Sequence, residues 1–184
     1  MTDIRIFGLA GSLRRLSFNA ALLRAAAELA PAGMQIDIGD LRDIPPYDDD
    51  VRAEAYPDEV ERLVGAMQAA DGLLFVTPEY NRSIPGVLKN AIDWASRRPD
   101  QPFDRKPVAI MRASRGVLGT IMANHHLRQI LVYLNARTVA GPEVLVGEAP
   151  KKFDADLNLV DEPTRDFVRA HLVRLGEMVA EPGR

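Results

Sequence analysis

The sequence contains no cysteine among its 184 residues. This absence excludes thiol nucleophiles, thiolate metal sites and redox disulfides. An excess of positive charge is also missing, because the net charge is −3, and a nucleic-acid partner would require a basic face. Apolar runs as long as a membrane span and a signal-peptide layout are absent too. We therefore expect a cytoplasmic protein that binds neither nucleic acid nor a membrane.

The composition that is present is that of an ordinary globular chain. Hydrophobic residues make up 47% of it and charged residues 27%, values that are typical of globular domains. The length favours one domain, and the chain has neither an internal repeat nor a linker. We expect a single domain over residues 1–184, long enough to fold without a disulfide or a metal.

Apolar runs typical of buried strands alternate along the chain with segments of helical spacing. This alternation predicts parallel strands joined by right-handed crossovers, and therefore an α/β fold with a doubly wound five-stranded sheet between two helical layers. Residues 40–56 are predicted to form a long loop. The predicted strands are 4–10, 34–38, 73–77, 107–111 and 137–139, with an edge piece at 144–146, and the predicted helices are 17–30, 58–70, 85–96, 119–134 and 162–179.

The loop that follows the first predicted strand carries side chains suited to phosphate. Backbone N–H groups and the dipole at the start of the next helix favour an anion there. Ser12 and Ser17 add hydroxyls, Asn19 adds an amide and Arg14 adds a guanidinium group. The spacing is neither that of a dinucleotide-binding turn nor that of a Walker loop. A capped helix with solvated arginines is the alternative interpretation.

The loop after the third predicted strand, residues 77–86, is polar and contains one aromatic residue, Tyr80. Its backbone groups are suited to the edge of a planar heterocycle. The loop after the fourth strand, residues 113–119, has two glycines that permit close approach of a ligand. If the first and third strands are neighbours, as in the flavodoxin-like order, these loops face one crevice. A phosphate site beside a site for a planar ring indicates that the ligand is a mononucleotide.

Four segments of the chain together resemble the NADPH-dependent FMN reductase family, in particular its bacterial chromate and quinone reductase branch. The resemblance implies a flavodoxin-like fold, bound FMN, and reduction of quinones, chromate or similar small acceptors by NADPH or NADH. It also implies a homodimer or homotetramer, with the helices that begin at 85 and 119 as contact surfaces. The matching segments are 11–14 with Ser17 and Asn19, 78–81 with Ser83 and Pro85, 88–94, and 126–131.

The same resemblance implies a set of residues that bind the cofactor. The sequence itself requires no catalytic acid or base. Ser114 and Gly116 are expected to close the far side of FMN. The residues implied at the phosphate are Ser12, Arg14, Ser17 and Asn19. The residues implied at the ring, mostly through backbone atoms, are Pro78, Glu79, Tyr80 and Asn81.

Other functions are less favoured by the sequence. His125 and His126 do not predict a metal site, because adjacent helix residues do not face one point. A flavodoxin-type electron carrier that docks protein partners is the alternative function. Such carriers tend to be strongly acidic and to hold the ring between aromatic side chains, whereas this chain offers only Tyr80 in the loop. For Arg82, contact with the NADPH phosphate and simple solvation both remain open.

Overall fold

A parallel sheet forms the centre of the structure, a computed structural model that describes residues 3–117 and 120–181. Its principal strands are β1 (Ile4–Ala10), β2 (Met34–Gly39), β3 (Gly72–Val76), β4 (Pro107–Ala113) and β5 (Arg137–Thr138). They lie in the order β2-β1-β3-β4-β5, and every pair is parallel. This order is the flavodoxin-like one, so the predicted fold class is confirmed.

The fifth position of the sheet is divided between two short strands, so within the described residues the sheet consists of the five predicted strands and the predicted edge piece. At the start of β4, Pro107 pairs with Arg137 of β5. At the end of β4, Met111 pairs with Val144 of β6 (Val144–Val146). The chain leaves the sheet between them at Pro142, which has no N–H to donate to a strand ladder. The edge piece predicted at 144–146 is therefore a true strand.

The predicted helices are all present, with ends that differ by a few residues. Gly119, the predicted start of the fifth helix, lies outside the described residues. No helix in the described ranges is long and apolar enough to cross a membrane. The helices are α1 (Phe18–Glu28), α2 (Asp49–Glu54), α3 (Asp58–Ala69), α4 (Gly86–Ala95), α5 (Ile121–Tyr133) and α6 (Glu162–Ala180), with a 3-10 turn at Ala149–Lys151.

The short helix α2 corrects the prediction of a continuous loop over residues 40–56. Asp48 caps it, since its side chain accepts a hydrogen bond from the Asp50 N–H at 2.9 Å. Asp49 and Asp50 place negative charge in the first turn, where the helix dipole favours it. The helix has no buried residue, so it carries no apolar stripe that the sequence pattern could reveal.

Two apolar cores, one on each face of the sheet, give the predicted three layers. Successive residues of a strand point to opposite faces. Leu74 and Val76 of β3 accordingly belong to the core that contains α1 and α6. Leu73 and Phe75 belong to the core that contains α3, α4 and α5. The helix after β1 and the helix after β3 therefore cover opposite faces.

Candidate functional site

A cleft opens at the carboxyl edge of the sheet, where β1 and β3 are neighbours and their connections leave toward opposite faces. Ligands of doubly wound sheets bind at this point. The cleft has a volume of about 170 Å³, below the roughly 300–1,000 Å³ of pockets that enclose a whole ligand. Of the predicted site residues, Asn81 and Gly116 do not line it. Those that do are Ser12, Arg14, Ser17, Asn19, Pro78, Glu79, Tyr80 and Ser114.

The first wall of the cleft is the start of α1. Ser17 caps this helix, and its hydroxyl oxygen accepts a hydrogen bond from the Ala20 N–H at 3.2 Å. A serine hydroxyl also has one proton to donate, so the cap leaves Ser17 able to bind an anion. The hydroxyl oxygen of Ser12 accepts a hydrogen bond from the backbone N–H of Arg14 at 3.5 Å. Free N–H groups in the first turn and the helix dipole make this end attractive to a phosphate.

Arg14 adds an exposed guanidinium group beside that helix end. One of its nitrogens donates to the carbonyl oxygen of Leu16 at 3.2 Å. Among the described residues, no carboxylate lies within ion-pair distance of it. A guanidinium group has five N–H donors, so most of its donors are free to meet phosphate oxygens.

Asn19 connects α1 to the end of β4. Its amide nitrogen donates to the carbonyl oxygen of Ala113 at 2.9 Å, and its amide oxygen accepts from the Ala113 N–H at 2.8 Å. Asn19 is buried. It therefore sets the spacing between the first and fourth loops of the site, and one amide N–H remains for a ligand.

The loop after β3 is a tight turn that holds Tyr80 at the rim. The Tyr80 and Ser83 backbones exchange hydrogen bonds of 2.9 and 3.0 Å. Asn81 and Arg82 between them have φ values of 52° and 66°, as in turns that need positive φ at both central residues. Asn tolerates this conformation better than Arg does. The turn carries Asn81 away from the cleft and leaves Tyr80 45% exposed.

Glu79 uses its carboxylate to cap α5. One carboxylate oxygen accepts from the Met122 N–H at 2.9 Å and from the Ala123 N–H at 3.1 Å. Negative charge at a helix N-terminus is favourable for the dipole as well as for the hydrogen bonds. Thr120, which occupies the cap position, makes no side-chain cap bond. Glu79 thus fixes the start of α5 against the loop after β3.

Thr120 is a site residue that the sequence analysis missed. It lines the cleft and is only 7% exposed. Its hydroxyl oxygen is buried and has no hydrogen-bond partner among the described residues. An unpaired buried hydroxyl costs about 1–3 kcal/mol, unless a ligand supplies the partner. The unpaired hydroxyl therefore suits a polar ligand such as FMN, which could supply its hydrogen-bond partner. The sequence signal that could have identified Thr120 is its position at the start of the helix that follows the fourth loop.

The fourth loop is held from the side of β6. The Ser114 N–H donates to the carbonyl oxygen of Val146, and the Ala149 N–H donates to the carbonyl oxygen of Ser114, both at 2.9 Å. The Ser114 hydroxyl donates to the carbonyl oxygen of Gly116 at 2.9 Å. A side chain at Gly147 would approach the Val117 carbonyl oxygen to 2.3 Å, so this contact requires glycine. Ser114 faces the cleft and Gly116 does not.

An ionic network around the buried Arg112 supports the same edge behind the cleft. Arg112 of β4 is 2% exposed, and its guanidinium group donates to the Glu143 carboxylate at 3.0 Å. The other Glu143 oxygen accepts from the Asn124 amide at 3.0 Å and lies 3.6 Å from Arg128. Burial lowers the pKa of Arg112. The network joins β4 and α5 to the segment before β6.

Comparison with known proteins identifies the family. The model described as NADPH-dependent FMN reductase matches residues 4–151. An NAD(P)H-dependent FMN reductase of Pseudomonas aeruginosa is 49% identical, over 94% of each chain. A quinone reductase of Escherichia coli is 44% identical over 96% of this chain and 95% of its own.

A solved structure agrees. The flavoenzyme NAD(P)H:(acceptor) oxidoreductase FerB from Paracoccus denitrificans superposes with a TM-score of 0.89. It is 32% identical and covers 98% of this chain and 100% of its own. The family resemblance drawn from the four sequence segments is therefore confirmed, whereas the roles of individual residues in binding FMN stay predictions. By fold, by the position of its cleft and by these matches, the chain belongs to the NADPH-dependent FMN reductase family.

Proposed function

We propose that this protein is an FMN-dependent oxidoreductase that passes hydride from NADPH or NADH, through FMN, to quinones, chromate or similar small acceptors. The observation that carries the proposal is the cleft. It gathers eight of the residues predicted to bind FMN, from three separate loops, at the one point of the fold where ligands of such sheets bind. The names of the similar reductases support the same activity.

The protein's own residues supply binding and orientation. Ser12, Ser17 and Arg14 would hold the phosphate of FMN at the start of α1, and Thr120 would donate its unpaired hydroxyl inside the cleft. The exposed ring of Tyr80 would border the flavin ring. FMN, when bound, supplies the chemistry, because it accepts and releases hydride. We assign no acid or base of the chain to that chemistry, in line with the sequence analysis.

The test is purification followed by two measurements. The protein should be yellow and should release FMN on denaturation, and it should oxidise NADPH or NADH rapidly when benzoquinone or chromate is added. A colourless protein that takes up no FMN would contradict the proposal. A flavoprotein that oxidises neither nucleotide would favour the alternative electron carrier, which the reductase names of the similar proteins do not support.

We also propose that the protein is a cytoplasmic homo-oligomer, assembled through α4 and α5. A cavity of about 790 Å³ lies between these helices. On the α5 surface, Tyr133 is 88% exposed and Val132 is 70% exposed. Adjacent exposed apolar side chains beside a cavity suit an interface with a second copy of the chain. Light scattering should give a dimer or tetramer, and Tyr133→Glu should shift it toward monomer. A wild-type monomer at micromolar concentration would contradict this part.

A further inference from the structure

A second cavity, which we call the arginine groove, lies on the other side of the loop after β1. It has a volume of about 430 Å³ and runs between α1 and the segment that follows β2. Ser12 and Arg14 line both the arginine groove and the cleft, so the two cavities adjoin. The side chains that define it are those of Arg14, Arg15, Leu23, Arg24, Ile38 and Arg42.

The ion pair of Asp40 and Arg42 joins the two loops that border the groove. Asp40 provides the only carboxylate among its lining residues. A guanidinium nitrogen of Arg42 lies 2.6 Å from that carboxylate, and another donates to the carbonyl oxygen of Leu13 at 3.2 Å. Asp40 and Arg42 therefore neutralise each other and tie the loop after β2 to the loop after β1.

The other arginines of the groove are not compensated. Arg15 and Arg24 are exposed, and in the described part of the chain they form no ion pair and no side-chain hydrogen bond. The Arg14 guanidinium group donates to the Leu16 carbonyl oxygen, and with FMN bound it would be paired with the cofactor phosphate. Arg15 and Arg24 would then remain as two uncompensated charges in the groove, in a protein whose net charge is −3. A concave site lined by one sign of charge attracts ligands of the opposite sign.

The groove also offers an apolar surface beside these charges. Ile38 of β2 is 48% exposed there, whereas Ile36, two residues earlier in the strand, is buried. Guanidinium groups bind phosphate oxygens and stack on planar rings. The volume lies within the range of small-molecule sites. An apolar floor with free arginines suits a purine that carries a phosphate group.

We propose that the arginine groove binds the phosphorylated adenosine end of NADPH and so selects NADPH over NADH. This inference rests on the proposed function, which requires the nicotinamide end of the same molecule to reach the adjoining cleft. NADH lacks the 2′-phosphate that the free arginines would meet. FAD also contains adenosine that bears phosphate, so the groove could bind FAD instead. Arg82 is an alternative partner for the NADPH phosphate, and both alternatives enter the test.

The test compares two double variants of the FMN-loaded enzyme. Arg15→Gln/Arg24→Gln removes two groove charges and leaves Arg14 and Arg42 intact. Arg62→Gln/Arg174→Gln removes two exposed charges from other helices and is the control. The ratio of kcat/KM for NADPH to that for NADH should fall about tenfold or more in the groove variant, as for loss of charge-assisted hydrogen bonds. The control should keep the wild-type ratio.

Calorimetry gives a readout that does not depend on turnover. The groove variant should bind adenosine 2′,5′-bisphosphate about tenfold more weakly than the wild type does, with adenosine 5′-monophosphate less affected. If the wild type oxidised neither nucleotide, the proposed function would fail, and the calorimetry would still decide this inference. An unchanged nucleotide ratio with unchanged bisphosphate binding would overturn it. So would a ratio that falls only in Arg82→Ala, or a wild type that retains FAD through Arg15 and Arg24.

Discussion

The two edges of the parallel sheet differ in whether a polar side chain that they hold finds hydrogen-bond partners within the protein. At the amino edge, the ammonium group of Lys106 donates to the carbonyl oxygens of Met67, Gln68 and Ala70 at 2.6, 3.0 and 2.6 Å. These carbonyls end α3, so Lys106 completes that helix. At the carboxyl edge, the hydroxyl of Thr120 has no partner among the described residues. The hydrogen bonds of Lys106 stabilise the amino edge, whereas the unpaired hydroxyl of Thr120 leaves a hydrogen-bonding group at the carboxyl edge that a ligand can use.

The largest expected effect comes from removing the Lys106 hydrogen bonds at the amino edge. Lys106→Met removes three charge-assisted hydrogen bonds while it keeps the aliphatic chain, and should lower the free energy of unfolding by about 2–4 kcal/mol. Urea denaturation measures this change. Lys151→Met, at a side chain that is 74% exposed, is the control and should change stability little. FMN affinity at the far edge should stay at the wild-type value, and a large loss of affinity would contradict the separation of the two edges.

The next effect concerns only the carboxyl edge, where FMN is proposed to bind. Arg14→Ala should weaken FMN binding by about 1.5–3 kcal/mol, the usual contribution of a hydrogen bond to a charged group. Fluorescence titration of the apoprotein with FMN measures the affinity. Stability without FMN should be unchanged, because Arg14 is exposed and forms no ion pair in the described chain. Equal retention of FMN by variant and wild type would remove Arg14 from the phosphate site.

A smaller effect is expected from removing the unpaired Thr120 hydroxyl at the carboxyl edge. Thr120→Val replaces the unpaired hydroxyl by a methyl group of similar size, so the unfolding free energy of the apoprotein should rise by about 1 kcal/mol. FMN should bind about three- to tenfold more weakly, as for loss of one neutral hydrogen bond. Opposite signs for the two measurements are the expected signature. If the apoprotein lost stability, the hydroxyl would have a partner within the protein.

The smallest effect tests an unpaired atom away from the cleft. His171 of α6 is fully buried; its Nδ1 lies 2.6 Å from the Pro142 carbonyl oxygen, and its Nε2 has no partner in the described chain. Burial lowers the pKa of His171 below its usual 6.5. Since the unfolded chain then binds the proton more readily, stability is complete above pH 6.5 and declines as the pH falls toward the folded-state pKa.

Denaturation of the wild type and of His171→Gln at pH 7.5 and 5.5 measures this dependence. The variant should lose less stability between the two pH values than the wild type does. An identical decline in both proteins would mean that His171 does not titrate differently on folding.

The fold could be predicted because its signals are local. The fully buried run Gly72–Val76 and the periodic face of α6 each follow from residues close in sequence. Helix α2 escaped prediction because it buries nothing. Both short strands at the fifth position were predicted, but their shared pairing with β4 was not, because a pairing partner far away in sequence leaves no local pattern. In both cases the structure depends on capping or pairing rather than on an apolar pattern.

The candidate site was predictable in its loops but less so in its contacts. The order of the three polar loops along the chain indicated which residues would meet. The partners of Asn19 and Glu79 lie 94 and 43 residues away in sequence, so no local pattern reveals that they position β4 and α5. The importance of Thr120 depends on its burial without a partner, which only the packed structure shows.

The most direct test of the account is a crystal structure of the protein with FMN. The phosphate should lie at the start of α1 within hydrogen-bond distance of Arg14, the flavin ring should lie beside Tyr80, and the Thr120 hydroxyl should bond to the cofactor. FMN bound in the arginine groove, between α4 and α5, or nowhere on the protein would contradict the central claim that the carboxyl edge of the sheet is the flavin site.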